Sequence, residues 1–241
     1  MNESSLGRTL IVALAVLLAG LLIGRGVERF RIADRSVTVK GVAEREVKAD
    51  VGLWPLSFVA ASDDLGLAQR KVQSDRRAVL AFLGRLGIDS TATELIELRV
   101  TDTSANPYGG NRPVSRYIVR MGLMVRTKDV DRLRDVSQRI DQLLNAGVAI
   151  AAGGEYGPSG PTYLFTRLND VKPEMLAEAT KNAREAAQQF ARESKARVGP
   201  MRRASQGIFE ILPRDPAPGI AQEGQIAKTL RVVSTVEYLL N

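Results

Sequence analysis

From residue 36 onward the chain alternates two strand-like segments with one helix-like segment three times and ends on two further strands, and this order constrains the fold more than any other feature. Residues 36–42 (SVTVKGV) alternate β-branched and polar side chains, and residues 51–61 form an apolar run around Trp54, so both predict strands. A helix follows over 65–86, with Leu65, Ala68, Val72, Ala78/Val79, Phe82/Leu83 and Leu86 recurring mostly at three- or four-residue spacing. Ser62 is placed to cap it and Gly87 to end it. Strands at 94–103 and 116–127, separated by the Gly/Pro-rich loop 104–113, precede a second helix opened by Asp129 and closed by Asn145-Ala146-Gly147. Short strands at 148–152 and 162–168 lead to a third helix over 173–197, where Pro173 suits the first turn. Its inward stripe is Met175/Leu176, Ala179, Ala183, Ala186/Ala187, Phe190 and Ser194, and its alanines let it lie close against a sheet or another helix. Final strands at 202–212 and 228–240 flank the Pro/Gly-rich loop 213–224. Strand pairs separated by helices predict an α+β architecture: a mainly antiparallel sheet of repeated strand-strand-helix units with helices on one face. A parallel doubly wound sheet would need single strands between helices.

Ahead of this region, residues 9–24 (TLIVALAVLLAGLLIG) carry no charge and are bracketed by Arg8 and Arg25. Sixteen helical residues reach about 24 Å, short of a ~30 Å hydrocarbon core, and Leu6, Gly7, Gly26 and Val27 can extend them while the arginines snorkel. The stretch is apolar on every face, which disfavours a buried core helix. The expected organisation is a short tail at 1–8, a transmembrane segment at 9–27, a linker at 28–35 and an α+β domain at 36–241. No Ala-x-Ala site follows the apolar run, so a retained anchor is expected rather than a cleaved signal. Counting arginines alone, Arg8 before the segment against Arg25, Arg29, Arg31 and Arg35 after it, would put the C-terminal domain in the cytoplasm.

The chain has no histidine and no cysteine. Thiol nucleophiles, disulfides, Cys/His metal sites and imidazole-based acid–base pairs are thereby excluded. The net charge of +7 comes from bases interleaved with acids, as in Asp131-Arg132-Leu133-Arg134-Asp135, which marks solvated faces and predicts no nucleic-acid partner. Gly153, Gly154, Gly157 and Gly160 invite a phosphate-loop reading, but no Gly-Lys-Ser/Thr follows and the next element reads as a strand. Asp63 and Asp64 could hold a metal or share a proton, yet they precede a helix, where acids favour its dipole. Glu44 and Glu46 share a strand side and read as a solvated strand end, while Trp54 reads as core. Tyr108 and Tyr156, in Gly/Pro-rich loops, are the candidates for contact with a partner.

The stretch Val37-Thr38-Val39-Lys40-Gly41-Val42-Ala43-Glu44 with Ala49-Asp50, then Val100-Thr101, Asn106-Pro107-Tyr108, and the Ala-rich helix with Ala179, Ala183-Arg184 and Ala191 resembles the SIMPL-domain family of bacterial envelope proteins over roughly residues 36–240. Departures are Ala186, where relatives often carry Lys, and Ser194-Lys195 in place of a Leu-Gly helix ending. The resemblance implies an exported, periplasm-facing α+β domain, associated in some relatives with oxidative or envelope stress and in some with large ring-like homo-oligomers. It implies no catalytic residues. It also outweighs the arginine count, because long domains translocate despite flanking charge.

The expected protein is therefore a single-pass inner-membrane protein with its C-terminal domain in the periplasm, non-enzymatic, homo-oligomeric, and contributing to envelope or oxidative stress tolerance. Its partners are the lipid bilayer and further copies of itself. The alternative is a periplasmic binding module that takes a small ligand, unknown in identity, or an envelope protein through Tyr108, Tyr156 and the loop 213–224. No catalytic, cofactor-binding or metal-binding role is assigned to any residue and no cofactor is expected; the remaining enzymatic reading is a hydrolase using Asp63, Asp64, Glu44 and Glu46.

Overall fold

The computed structural model describes residues 19–20, 35–105, 115–151, 160–219 and 221–241. Apart from residues 19–20, the expected membrane segment at 9–27 lies outside them, as do Tyr108 and Tyr156. No helix among the described residues is long and apolar enough to cross a membrane. The elements in chain order are β1 (Ser36–Lys48), β2 (Val51–Ser62), α1 (Leu65–Arg85), β3 (Thr93–Asp102), β4 (Tyr117–Thr127), α2 (Val130–Ser137), α3 (Asp141–Asn145), β5 (Ile150–Ala151), β6 (Thr162–Leu164), α4 (Leu168–Glu193), β7 (Val198–Pro213) and β8 (Ala227–Leu240). This is an α+β fold with the predicted order. Within it the described residues of Met1–Arg45, Val171–Glu210 and Arg231–Asn241 form one compact unit, and those of Glu46–Asp170 and Ile211–Leu230 form a second.

The second unit is built on a sheet ordered β3-β4-β2-β5, with β6 also pairing β2, and each of these pairings is antiparallel. Trp54, Leu56, Phe58 and Ala60 alternate along β2 opposite Val125, Leu123, Met121 and Val119 of β4, and all eight are buried on one face. Helices cover that face: Ala68, Val72, Val79, Phe82 and Leu83 of α1 and Val130, Leu133 and Val136 of α2 join the same apolar core. Pro55 sits inside this central strand without loss. Val59 donates its amide to the Ala149 carbonyl (3.0 Å), so Pro55, four residues back, would have pointed a donor the same way, between the stretches paired with β5 (57–58) and β6 (51–53), where β2 pairs with no described residue on that side.

In the first unit the strands run β1-β8-β7. Reciprocal bonds between Arg197 and Asn241 (2.8 and 2.9 Å) and the approach of Gly207 to the Val233 carbonyl set β7 antiparallel to β8. Met175, Ala179, Ala183, Ala187 and Ala191 form the buried stripe of α4, and Ala183 and Ala187 pack on Val39, Val236 and Tyr238. The small side chains permit a close approach: Gly41 of β1 lies directly under Ala179 and Ala183. The Asn182 amide donates to the Val42 carbonyl at 2.8 Å and pins the helix at that level.

Several expectations are corrected. Although consecutive, β1 and β2 belong to different sheets, so the repeated units do not build a single sheet. Asp64, not Ser62, caps α1, accepting from the Leu67 amide at 2.8 Å, while Ser62 accepts from the Asp64 amide (3.2 Å). The second helix divides at residues 138–140 into α2 and α3; Asp129 does open it, accepting from the Arg132 amide at 3.0 Å. The third helix starts five residues before Pro173, which therefore lies inside it, beyond the first turn. Phe190 is 61% exposed and Ala191 takes the inward position. Gly87, with φ +83°, ends α1 as expected.

Candidate functional site

Two surfaces of the second unit carry recognisable chemistry. The first is an open cleft of about 960 Å³ whose walls include Glu46 and Lys48 from β1, Arg134 and Gln138 from α2 and the turn after it, Tyr163 from β6, and Arg214, Asp215, Gln225 and Ile226 beside the loop 213–224. Gly160 and Pro161, adjoining the segment that contains Tyr156, line it too. Its cations are matched by acids: Lys48 pairs with Asp131, Arg134 with Asp135 (3.4 Å), and Arg214 with Asp215 (2.7 Å). The hydrogen bond and charge of Asp215 hold the Arg214 guanidinium firmly protonated, with Glu46 adding to the effect. Burial raises the Tyr163 phenol above its usual range; Arg134 opposes the rise and Asp131 and Asp135 reinforce it, so the ring presents a neutral hydroxyl at neutral pH. Neutral phenol, amide and paired ions suit recognition of a polar ligand by hydrogen bonds.

The loop 213–224 is tied at both stems. Gln225 donates its side-chain amide to the Asp215 carbonyl (2.8 Å) and accepts from the Asp215 amide (3.2 Å). Lys228, almost wholly buried, donates its ammonium to the Gln222 carbonyl at 2.6 Å. Burial lowers the Lys228 pKa below its ordinary value, partly offset by Glu223. The unfolded chain therefore binds a proton more readily here than the folded chain, and stability rises with pH between the depressed folded pKa and the unfolded value of about 10.4. Urea midpoints measured for the full chain in detergent should climb toward alkaline pH in the wild type, and that climb should be absent in Lys228→Met.

A neighbouring corner is held by Asp50. Burial alone would raise its pKa, but the Thr166 amide (2.8 Å) and hydroxyl (2.9 Å) donate to its carboxylate and Arg167 sits 3.3 Å away, and together they hold it below the usual carboxylate range. This contribution is complete above the unfolded pKa of about 3.9 and is lost as pH falls through the lower folded value. Asp50→Asn should accordingly flatten the acid limb of the stability curve below about pH 4; an unchanged limb would assign acid sensitivity elsewhere.

The second surface is β3, at the edge of its sheet among the described residues. Leu95, Leu98 and Val100 stand opposite Leu123, Met121 and Val119 of β4, and hence on the helix-covered face. Yet α1 lies on β2 and β4, and the three β3 residues remain 47%, 56% and 52% exposed. The bulge at Ile96 places that side chain over bare Gly122 on the opposite face.

The carboxylates singled out from sequence are dispersed. Asp64 is a cap, Asp63 accepts from the Arg116 amide (2.9 Å), Glu44 pairs with Arg231 (3.4 Å), and Glu46 alone reaches the cleft. No group of three or more acids able to hold a metal occurs among the described residues. Trp54 is core, at 2% exposure. The β3 surface was missed in the sequence, although adjacent Leu95 and Ile96, which break the strand's alternation, were a usable signal. The cleft gave none, since Tyr163, Arg134 and Arg214 are far apart in the chain.

A family model described as SIMPL: Protein of unknown function (DUF541) matches residues 37–237, covering both units. No curated protein matches the chain.

Proposed function

Because the chain belongs to the SIMPL family, we propose that it is a non-enzymatic, membrane-anchored protein facing the periplasm, which self-associates and contributes to envelope or oxidative stress tolerance. The observation that carries this reading is the exposed apolar stripe Leu95, Leu98 and Val100 on a strand that forms the sheet edge among the described residues, a surface that soluble monomers normally blunt or cover. The uncharged run at 9–24 supports the anchor. Alkaline phosphatase fused after Asn241 is expected to be active, and the detergent-solubilised chain to have the mass of more than one copy. An inactive fusion together with a strict monomer overturns the proposal.

The cleft favours a second reading, a binding module for a small polar ligand or an envelope protein; Tyr108 and Tyr156, the partner-contact candidates of the sequence, lie outside the described residues. If replacing both tyrosines with alanine leaves every co-purifying partner in place, the tyrosines have no part in it.

A further inference from the structure

The edge of β3 that pairs with no described strand is self-complementary, and we infer that it joins two copies of this chain as an antiparallel pair centred on Leu98, a symmetric interface that rests on the self-association proposed above. Three observations lead there. First, the edge offers backbone groups at the right place: the Thr103 amide donates inward to the Arg116 carbonyl (2.8 Å), so by the two-residue alternation Thr101, Arg99 and Glu97 also point toward β4. Leu98 and Val100 therefore aim their N–H and C=O groups outward, and a two-fold axis at Leu98 lets each copy donate to and accept from the other.

Second, charge selects this register over its neighbours. Glu97 and Arg99 flank Leu98 on one face and are 3.4 Å apart within the chain. With Leu98 at the axis, each Glu97 lies directly across from Arg99 of the second copy, giving two opposite-charge pairs. Shifting the axis by one residue places Glu97 against Glu97 or Arg99 against Arg99, which is repulsive.

Third, the apolar side chains fall where a second copy uses them. Leu98, 56% exposed, meets Leu98, and Leu95 and Val100 extend the stripe on the same face. The bulge at Ile96 ends the regular ladder and limits pairing to one strand partner. An isologous contact closes on itself, so a patch that would otherwise seed open-ended edge pairing is consumed in a dimer contact.

The absence of cysteine makes the test direct. In the full chain in detergent, Leu98→Cys introduces the sole thiol at the axis, where paired Cα atoms lie about 5.5 Å apart, within disulfide reach. Mild oxidation should yield a covalent dimer. Leu95→Cys should not, because its symmetry mate is about 20 Å away. Glu97→Arg should weaken self-association about tenfold, and adding Arg99→Glu should restore it. If the chain self-associates while Leu98→Cys fails to cross-link and Glu97→Arg has no effect, the β3 interface is overturned and self-association stands. A chain that stays monomeric at every concentration overturns both.

Discussion

Gly41→Ala is expected to lower the unfolding free energy by about 3 kcal/mol. A β-carbon at this position would stand 1.9 Å from the Ala179 carbonyl oxygen, 2.4 Å from the Ala183 amide nitrogen and 2.8 Å from the Ala183 β-carbon. Two of these three atoms belong to the backbone of α4, so no side-chain rotation relieves the clash and the helix must lift from β1. Lifting opens space around Ala179, Ala183 and Ala187, which are fully buried, and strains the 2.8 Å bond from Asn182 to the Val42 carbonyl. Overpacking against flexible side chains costs about 1–3 kcal/mol; contact with rigid backbone puts this site at the upper end or beyond. Marginal stability of about 5–15 kcal/mol makes such a loss easy to see in a urea or thermal melt of the full chain. A loss below about 1 kcal/mol would show that α4 can move away freely, contrary to the packing described.

Phe82→Ala should be at least as damaging, by about 3–5 kcal/mol, whereas Phe190→Ala should stay within about 0.5 kcal/mol of the wild type. Both phenylalanines lie on helices and both fit an inward period in the sequence, but Phe82 is fully buried among the core residues of α1, β2 and β4, and Phe190 is 61% exposed on α4. Removing the Phe82 ring deletes its apolar burial and leaves a cavity that the sheet cannot close. Parallel melts of the two variants decide the matter. Equal effects would contradict the inward assignment of Ala191 in place of Phe190.

The contrast between those residues shows how much the sequence could carry. Met175, Ala179, Ala183 and Ala187 are spaced by four and their inward direction follows from helical period alone. At the next turn Phe190 and Ala191 both satisfy the period, and hydropathy favours the ring. The structure places alanine inside because a helix seated over Gly41 runs close to its strands, where a small side chain fits. Similarly, the alternation of β1 and β2 was legible, but an apolar strand face does not name its partner, so β1 pairing with β8, some 200 residues along the chain, was not. At α1 Asp64 takes the place that Ser62 was expected to fill, whereas the Asp129 cap was readable because a cap bonds within three residues. The cleft was not, because Glu46, Arg134, Tyr163 and Arg214 meet only through the fold. Tyr108 and Tyr156 lie outside the described residues, so their roles remain part of the binding proposal.

What the sequence determined by itself was local: the α+β class, the order of the elements, the Asp129 cap and the alanine seam of α4. These follow from periodicity, capping and composition, which act over a few residues. Only the tertiary structure decided that the strands divide between two sheets, that Phe190 points out, and that no helix among the described residues lies above Leu95, Leu98 and Val100. Each depends on which distant segment fills the adjoining space, and a side chain's own hydropathy cannot say whether that space is taken.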